Sequence, residues 1–343
     1  MIVSYRTKRF FRGLAATALT LVLIAVVVWL VWLLWLDRYV VYTRDGAKLD
    51  FSLSDKVASG ALAVPPQESP TVSIYYNEGD SAINISTELT QVIGYYIDTD
   101  MLSNTETIAE VMSQLKKLPP QTPVLVEVKD IVGRFFYNTS LGPTRSSIDL
   151  AAVEQLFSYL RMSDLYTIAK FPALRDYYYG LDHVPDGIPV KGGYLWMDDD
   201  RCYWLNPGSS GTLSYVIQIV TELKQAGFHE VVLGDFQIPT ANTIVFKENR
   251  TETLVAAANK IIEACSSDRF TISFSTADPA FPLPEGRTRL YLENQAAADV
   301  KNLASQVLFE DTAVRLVFMT NVNDTRFNDY GVLRPITSAQ LEE

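Results

Sequence analysis

Apolar and polar positions divide the chain into three stretches with different rhythms. The first is an unbroken apolar run over residues 14–36, LAATALTLVLIAVVVWLVWLLWL, without one charge. As a helix rising ~1.5 Å per residue it covers ~35 Å, against ~30 Å of bilayer hydrocarbon, so a transmembrane helix is expected there. The second, residues 37–90, keeps no sustained period. YVVYTRDGAKLDF predicts a short hairpin around Asp45-Gly46, ALAVPPQESP a Pro-rich connector and TVSIYYNE a further strand, which together read as a juxtamembrane stalk. The third, residues 91–336, alternates short β-rich apolar runs with stretches at helical spacing, and residues 337–343 form a tail.

Within the third stretch strands are predicted at 91–98, 124–130, 166–171, 230–235, 270–276, 288–294 and 314–321. Between them TIAEVMSQLKKL, DLAAVEQLFSYLRM, GTLSYVIQIVTELKQAG, ETLVAAANKIIEAC and AAADVKNLASQVLF carry amphipathic helical patterns. Asp149 and Thr251 are expected N-caps, and Gly227 closes the third helix. Seven or eight strands in one βαβ series predict an α/β fold of the (β/α)8 TIM-barrel type, complete or distorted, over an open doubly wound sheet. No Gly-x-Gly-x-x-Gly or Walker loop follows a strand, which removes the nucleotide reason for an open sheet and leaves no cofactor expected.

Charge orients the anchor. Arg6, Lys8, Arg9 and Arg12 lie in a basic tail, residues 1–13, that holds no acid. The positive-inside bias therefore places the N-terminus in the cytoplasm and the rest of a single-pass cell-membrane protein outside. A cleaved signal peptide fits less well, because its apolar run is ~7–15 residues and ends in small residues, whereas this one ends Trp35-Leu36-Asp37-Arg38. Trp29, Trp32 and Trp35 recur every third position, read as an interfacial belt in preference to a helix–helix seam. Over the whole chain 29 Lys and Arg face 40 Asp and Glu, a net charge of −11 that argues against nucleic acid as the partner. His183, His229, Cys202 and Cys265 show no metal-ligand spacing, so no metal site is expected. Whether Cys202 and Cys265 bridge stays open.

In a barrel the reacting groups stand at the carboxyl ends of the strands. Those ends carry Asp98, Asp100, Glu127, Lys129, Asp130, Lys170, Asp235, Gln237, Glu293, Asn321 and Asn323, an acidic, amide-rich rim. Any one strand-end acid is more often a turn or cap than a catalyst, so the cluster counts for more than its members. The loop after the third strand, FPALRDYYYGLDHVPDGIPVKGGYLWMDDDRCYWLNPGSSG, is too long for a connector and reads as a lid or binding loop. Its Tyr177, Tyr178, Tyr179, Trp196, Tyr203 and Trp204 either stack on sugar rings or cover the barrel mouth as a satellite core. Asp198-Asp199-Asp200 lacks the spaced acids and Gly of a calcium loop and reads as a solvated turn. No Gly-x-Ser-x-Gly elbow is present, and His229 sits at the entry end of the fourth strand, so carboxylate chemistry is what remains.

In order and spacing, VLVEVKDIVGRFFY, YTIAKFPALRD, WMDDDRCYWLNP and VTELKQAGFHEVVLGDFQIP resemble a family of glycoside-hydrolase-like barrels distantly similar to α-amylase-type enzymes. The family's Val-Lys-Asp with a following Gly and Tyr is matched by Val128, Lys129, Asp130, Gly133 and Tyr137. Its Ile-Ala-Arg and Phe-Lys-Asp are matched by Ile168, Ala169, Lys170 and by Leu174, Arg175, Asp176; its tryptophans and Asp-Pro by Trp196, Trp204, Asn206 and Pro207. The resemblance covers about residues 91–240 and departs at the fourth strand, where the family's acid falls on Gly234 and its Arg on Gln237. Alternation then turns Asp235 outward unless a bulge at Gly234 returns it. The resemblance implies a polysaccharide-directed glycoside hydrolase with Glu127, Asp130 and Asp235 as carboxylates. Lys129, Lys170, Arg175, Asp176, Trp196, Trp204, Asn206 and Gln237 would bind the glycan. The alternative is a catalytically silent relative that binds glycan or serves the cell envelope.

Overall fold

The computed structural model describes residues 89–336, together with Trp29 and the backbone of Val40–Thr43 and Gly46–Leu49. The chain separates into two compact units, Met1–Asp80 and Ser81–Glu343. In the first, β1 (Val40–Thr43) and β2 (Gly46–Leu49) pair antiparallel with Thr43 opposite Gly46, the hairpin expected around Asp45-Gly46. The expected span at 14–36 lies outside the described residues except for Trp29, which is helical and exposed. Among the described residues no helix is long and apolar enough to cross a membrane.

The second unit is a closed barrel of eight parallel strands. They are β3 (Ile93–Ile97), β4 (Pro123–Glu127), β5 (Tyr166–Pro172), β6 (Glu230–Gly234), β7 (Thr271–Ser275), β8 (Leu290–Glu293), β9 (Leu316–Met319) and β10 (Gly331–Pro335). The barrel is complete. Its closing strand, β10, bonds β9 on one side and β3 on the other, and it is the one strand with no predicted counterpart. Gly331-Val-Leu-Arg-Pro335 is short, carries a charge and ends in proline, so its sequence looks like a loop.

Each strand puts alternate residues on opposite faces. Leu125, Ile168, Val232, Tyr291, Val317 and Leu333 pack together inside the barrel, in a cluster that contains no helical residue. The intervening Val124, Val126, Ala169, Val231, Leu233, Phe274 and Leu292 join the larger core beneath the helices. Those helices are α1 (Thr105–Leu115), α2 (Leu150–Met162), α3 (Tyr177–Asp182), α4 (Ser210–Gln225), α5 (Arg250–Cys265), α6 (Val300–Gln306) and α7 (Thr312–Arg315). Asp149 caps α2 through the Ala152 amide, and Gly227 follows α4 at φ +92°, both as expected. The cap of α5 is Asn249, which accepts from the Glu252 amide; Thr251 lies inside the helix, two residues past the cap.

Candidate active site

The alternation that turns Leu125, Ile168 and Tyr291 inward also turns in Glu127, Lys170 and Glu293 at the carboxyl ends of β4, β5 and β8. The β4–β5 register sets Glu127 beside Lys170. Lys170 Nζ lies 3.0 Å from Glu127 Oε1 and 2.6 Å from Glu293 Oε2. Ser275 Oγ donates to the other Glu293 oxygen. Burial works against the Lys170 ammonium, but the charges of Glu127 and Glu293 outweigh it and hold the pKa above the lysine range. Burial likewise works against the Glu293 carboxylate. Lys170's charge, with the hydrogen bonds from Lys170 and Ser275, outweighs it and keeps the pKa below the usual value.

Asp235 reaches the same place by another route. β6 ends at the inward Gly234, so a continued strand would send the next side chain out. Asp235 instead takes a left-handed φ of +49°, a conformation Asp adopts more readily than most residues. Its carboxyl lines one cavity of about 380 Å³ with Glu127, Asp130, Lys170, Arg175 and Glu293. The turn thus sits at Asp235 itself, in place of a bulge at Gly234. Among the described residues no group donates a hydrogen bond to this carboxyl. Burial pushes its pKa up; Arg175 opposes that shift and Glu293 adds to it. A second cavity of about 200 Å³, lined by Gln237, Ser275, Thr276 and Gln295, meets the first at two shared residues, Asp235 and Glu293.

Other expected site residues hold the wall up. Asp130 borders the larger cavity, but Oδ1 accepts the Val132 and Arg134 amides at 3.0 and 2.9 Å, and Oδ2 pairs with the Arg134 guanidinium at 2.8 Å. It builds the turn that ends β4. Lys129 also borders the cavity, yet its ammonium is committed to Asp176 at 2.8 Å and the Pro172 carbonyl at 3.1 Å. Asp176, 1% exposed, further accepts from the Tyr215 hydroxyl at 2.9 Å and caps α3 through the Tyr179 amide. It is therefore a buried brace and does not line the cavity. Gly133, at φ +94°, passes so close that an added Cβ would lie 2.1 Å from Asp176 Oδ1. Gly133→Ala is therefore expected to cost at least roughly 1–3 kcal/mol in urea denaturation.

Arg175 lines the cavity, and its guanidinium is held by Asp198 at 2.6 Å and by Asp200 at 2.5 Å. Asp198 also accepts the Cys202 amide at 2.9 Å and the Trp204 indole at 2.8 Å. The acidic triplet is thus largely an anchor for Arg175, through Asp198 and the exposed Asp200, and only Asp199 behaves as a solvated turn residue. Trp204 is 5% exposed, and Trp196 packs on it with ring centroids 6.3 Å apart, so neither presents a face to the cavity. Asn206 accepts the Gly208 amide at 2.8 Å and shapes the entry to α4, away from the cavity lining. Gln237 lines the smaller cavity, fixed there by the Ala277 amide at 3.1 Å.

His229 accepts from the Thr167 amide at the entry end of β6, where burial lowers its pKa, and His183 stacks on Tyr179. Cys202 and Cys265 are buried and unbridged, Cys202 beside the Asp200 carbonyl and Cys265 beside the Ile217 carbonyl. Glu293 and Asp198 are the site residues that the sequence-based candidate set omits. Glu293 did stand among the strand ends; Asp198 gave no signal beyond its place in an acidic run.

A complete TIM barrel with carboxylates gathered at the carboxyl ends of its strands is a scaffold on which glycoside chemistry is commonly built. Residues 94–271 match the model of a family described as a putative glycosyl hydrolase domain, more than half of the chain, and the protein belongs to that family. The barrel is similar to that of an α-galactosidase from Lactobacillus brevis, at a TM-score of 0.51 and 9% identity over 76% of this chain and 40% of the other. The chain thus spans about two fifths of that enzyme. A hypothetical protein from Ruminiclostridium thermocellum aligns at a TM-score of 0.46 and 16% identity, over 53% of this chain and 96% of its own. Aspergillus fumigatus Ega3, in complex with galactosamine, aligns at 0.45 and 11%, over 74% and 94%. No curated protein matches the sequence.

Proposed function

We propose that the barrel is a glycoside hydrolase in which Asp235 and Glu293 flank the scissile bond. The observation that carries this reading is the junction of two cavities at those two side chains alone. A glycan lying through both would place one sugar in each and the bond between them at the carboxyls. Their environments push the two apart in acidity, which is how one pair of carboxyl groups comes to serve as acid and base. Asp235, desolvated and with no donor among the described residues, is shifted toward the weaker-acid side of the pair and is assigned as the general acid. Glu293, held ionised by Lys170 and Ser275, is the carboxylate that attacks or activates water. Glu127 balances Lys170 from the other side.

This assignment requires a bell-shaped dependence of kcat/KM on pH, its alkaline limb set by Asp235 and its acid limb by Glu293. A cation nearby favours the ionised acid, so removing Arg175 must raise the Asp235 pKa further. Arg175→Gln is therefore expected to move the alkaline limb to higher pH and leave the acid limb in place, whatever it does to affinity. An alkaline limb that stays put, or moves down, excludes Asp235 as the acid.

The chain is further proposed to act outside the cell, held to the membrane by residues 14–36 with the basic tail in the cytoplasm. Protease added to intact cells should remove the barrel and spare a tag fused ahead of residue 1. The test of function itself is a screen of the full-length chain on aryl glycosides and polysaccharides. Hydrolysis abolished by Asp235→Asn supports the proposal. Binding without turnover, indifferent to Asp235→Asn and Glu293→Gln, selects the silent glycan-binding relative.

A further inference from the structure

The aromatic side chains of the long loop fall into two groups. In the first, the Tyr179 hydroxyl donates to Asp186 at 3.0 Å and the Trp204 indole to Asp198 at 2.8 Å, and Trp196 packs against Trp204. This group is core. In the second, Tyr177 stacks on Tyr203 with centroids 5.5 Å apart and planes at 13°, and meets Tyr178 edge-on at 5.4 Å. None of the three hydroxyls has a protein partner among the described residues. Tyr178 is 39% exposed, and Tyr177 and Tyr203 are half-buried. Rings serving the core would pack on it with their hydroxyls bonded, as Tyr179 and Tyr215 do, and among the described residues these three do neither.

The backbone ties this group to the mouth of the barrel. The Tyr177 amide donates to the Ile131 carbonyl at 3.3 Å and the Tyr178 amide to Val132 at 3.1 Å, while the Tyr203 carbonyl accepts the Asp176 amide at 3.0 Å. Ile131 lines the larger cavity, and so does Arg175, two residues before Tyr177. The tyrosines are therefore tied through the backbone to the segments that form that wall, without lining the cavity themselves. A pyranose presents a flat C–H face rimmed by hydroxyls, and a half-exposed tyrosine presents the matching surface, an apolar ring with a wet polar tip. The three carry no charge, so they suit neutral ring faces along a chain better than a charged end group.

We propose that Tyr177, Tyr178 and Tyr203 form an outer binding surface for the part of a polymeric glycan that extends beyond the two cavities. The site then takes a polysaccharide in preference to a mono- or disaccharide glycoside. The proposal rests on the glycoside-hydrolase reading of the cavities and adds chain length to it.

Ladders of β-1,4-glucan, β-1,4-N-acetylglucosamine and α-1,4-galacturonate oligosaccharides, from disaccharide to octasaccharide, test it on the full-length chain in detergent. Affinity and kcat/KM should rise with length on a recognised ladder. Tyr178→Ser, a change at an exposed ring that spares the fold, should flatten the rise. The pair Tyr177→Ala and Tyr178→Ala should remove about tenfold in affinity from the longest oligomers while leaving the shortest unchanged, and Tyr178→Trp should restore the rise. Turnover of short glycosides with no length dependence, or a length dependence that survives both variants, overturns the outer surface and leaves the hydrolase reading standing. A chain that neither binds nor cleaves any member of any ladder overturns both.

Discussion

Asp235→Asn is expected to lower kcat by about 10²–10⁴-fold, the range general acid catalysis supplies, while leaving glycan affinity and thermal stability nearly unchanged. The substitution is unusually clean at this position. Among the described residues the Asp235 carboxyl accepts no hydrogen bond, so an isosteric amide abandons no donor there. The backbone at φ +49° is the left-handed conformation in which Asn is at least as much at home as Asp. A half-buried carboxyl with no bond to the described residues contributes little to folding, so the loss of rate cannot be blamed on collapse of the site. Glu293→Gln should also lower kcat steeply, but with a second signature. It deprives Lys170 of its partner at 2.6 Å, and a drop in Tm should accompany the drop in rate. Rate retained in Asp235→Asn at unchanged Tm would remove Asp235 from the chemistry and leave its burial without a purpose in catalysis.

Seven of the eight barrel strands were legible because each is a short apolar run bounded by a helical pattern, and the register of β4 and β5 then places Glu127 beside Lys170 with no further information. β10 was not legible, since closure of a barrel is a long-range pairing that Gly331–Pro335 does nothing locally to advertise. At the rim, strand periodicity gave the right neighbourhood and the wrong direction for Asp235. A left-handed turn at a non-glycine residue is decided by the packing of the loop that follows, as where the Phe236 amide reaches the Ser275 carbonyl at 2.9 Å. The resemblance to glycoside-hydrolase-like barrels named Asp176, Trp204 and Asn206 along with residues that do line the cavity. A motif contains whatever is needed to build the site, and a brace such as Lys129–Asp176 is spelled no differently from a contact residue. The same resemblance ended near residue 240, ahead of Glu293, so the second carboxylate of the junction fell outside the part of the chain where it could guide the choice.

At the opposite end of the barrel, Glu230→Gln is expected to destabilise the fold by about 3–5 kcal/mol, the cost of breaking one side of a buried ion pair. Glu230 is fully enclosed and faces Arg289 across the barrel interior. One Glu230 oxygen accepts the Ser273 hydroxyl at 2.6 Å and the Tyr291 hydroxyl at 2.9 Å, and the other accepts Tyr166 at 2.9 Å beside the guanidinium. Arg289 in turn donates to the Thr90 carbonyl at 2.9 Å and the Val314 carbonyl at 3.2 Å, tying the entries of β3 and β9 to β8. Because every lone pair is satisfied, the pair is a closed network, and removing the negative charge leaves the guanidinium buried against neutral partners. Burial, the largest cause of the raised pKa of Tyr166 and Tyr291, persists when the Glu230 charge is removed and works against either hydroxyl ionising to replace it at neutral pH. For a domain of this size the single change should lower Tm by on the order of 10 °C. The double variant Glu230→Leu with Arg289→Met should cost less than either single substitution, since it removes both charges and refills the space with apolar volume. A single substitution costing under ~1 kcal/mol in urea denaturation would show that water reaches the pair. The lower layer would then have to be held by the apolar residues above it, Leu125, Ile168 and Val232, alone.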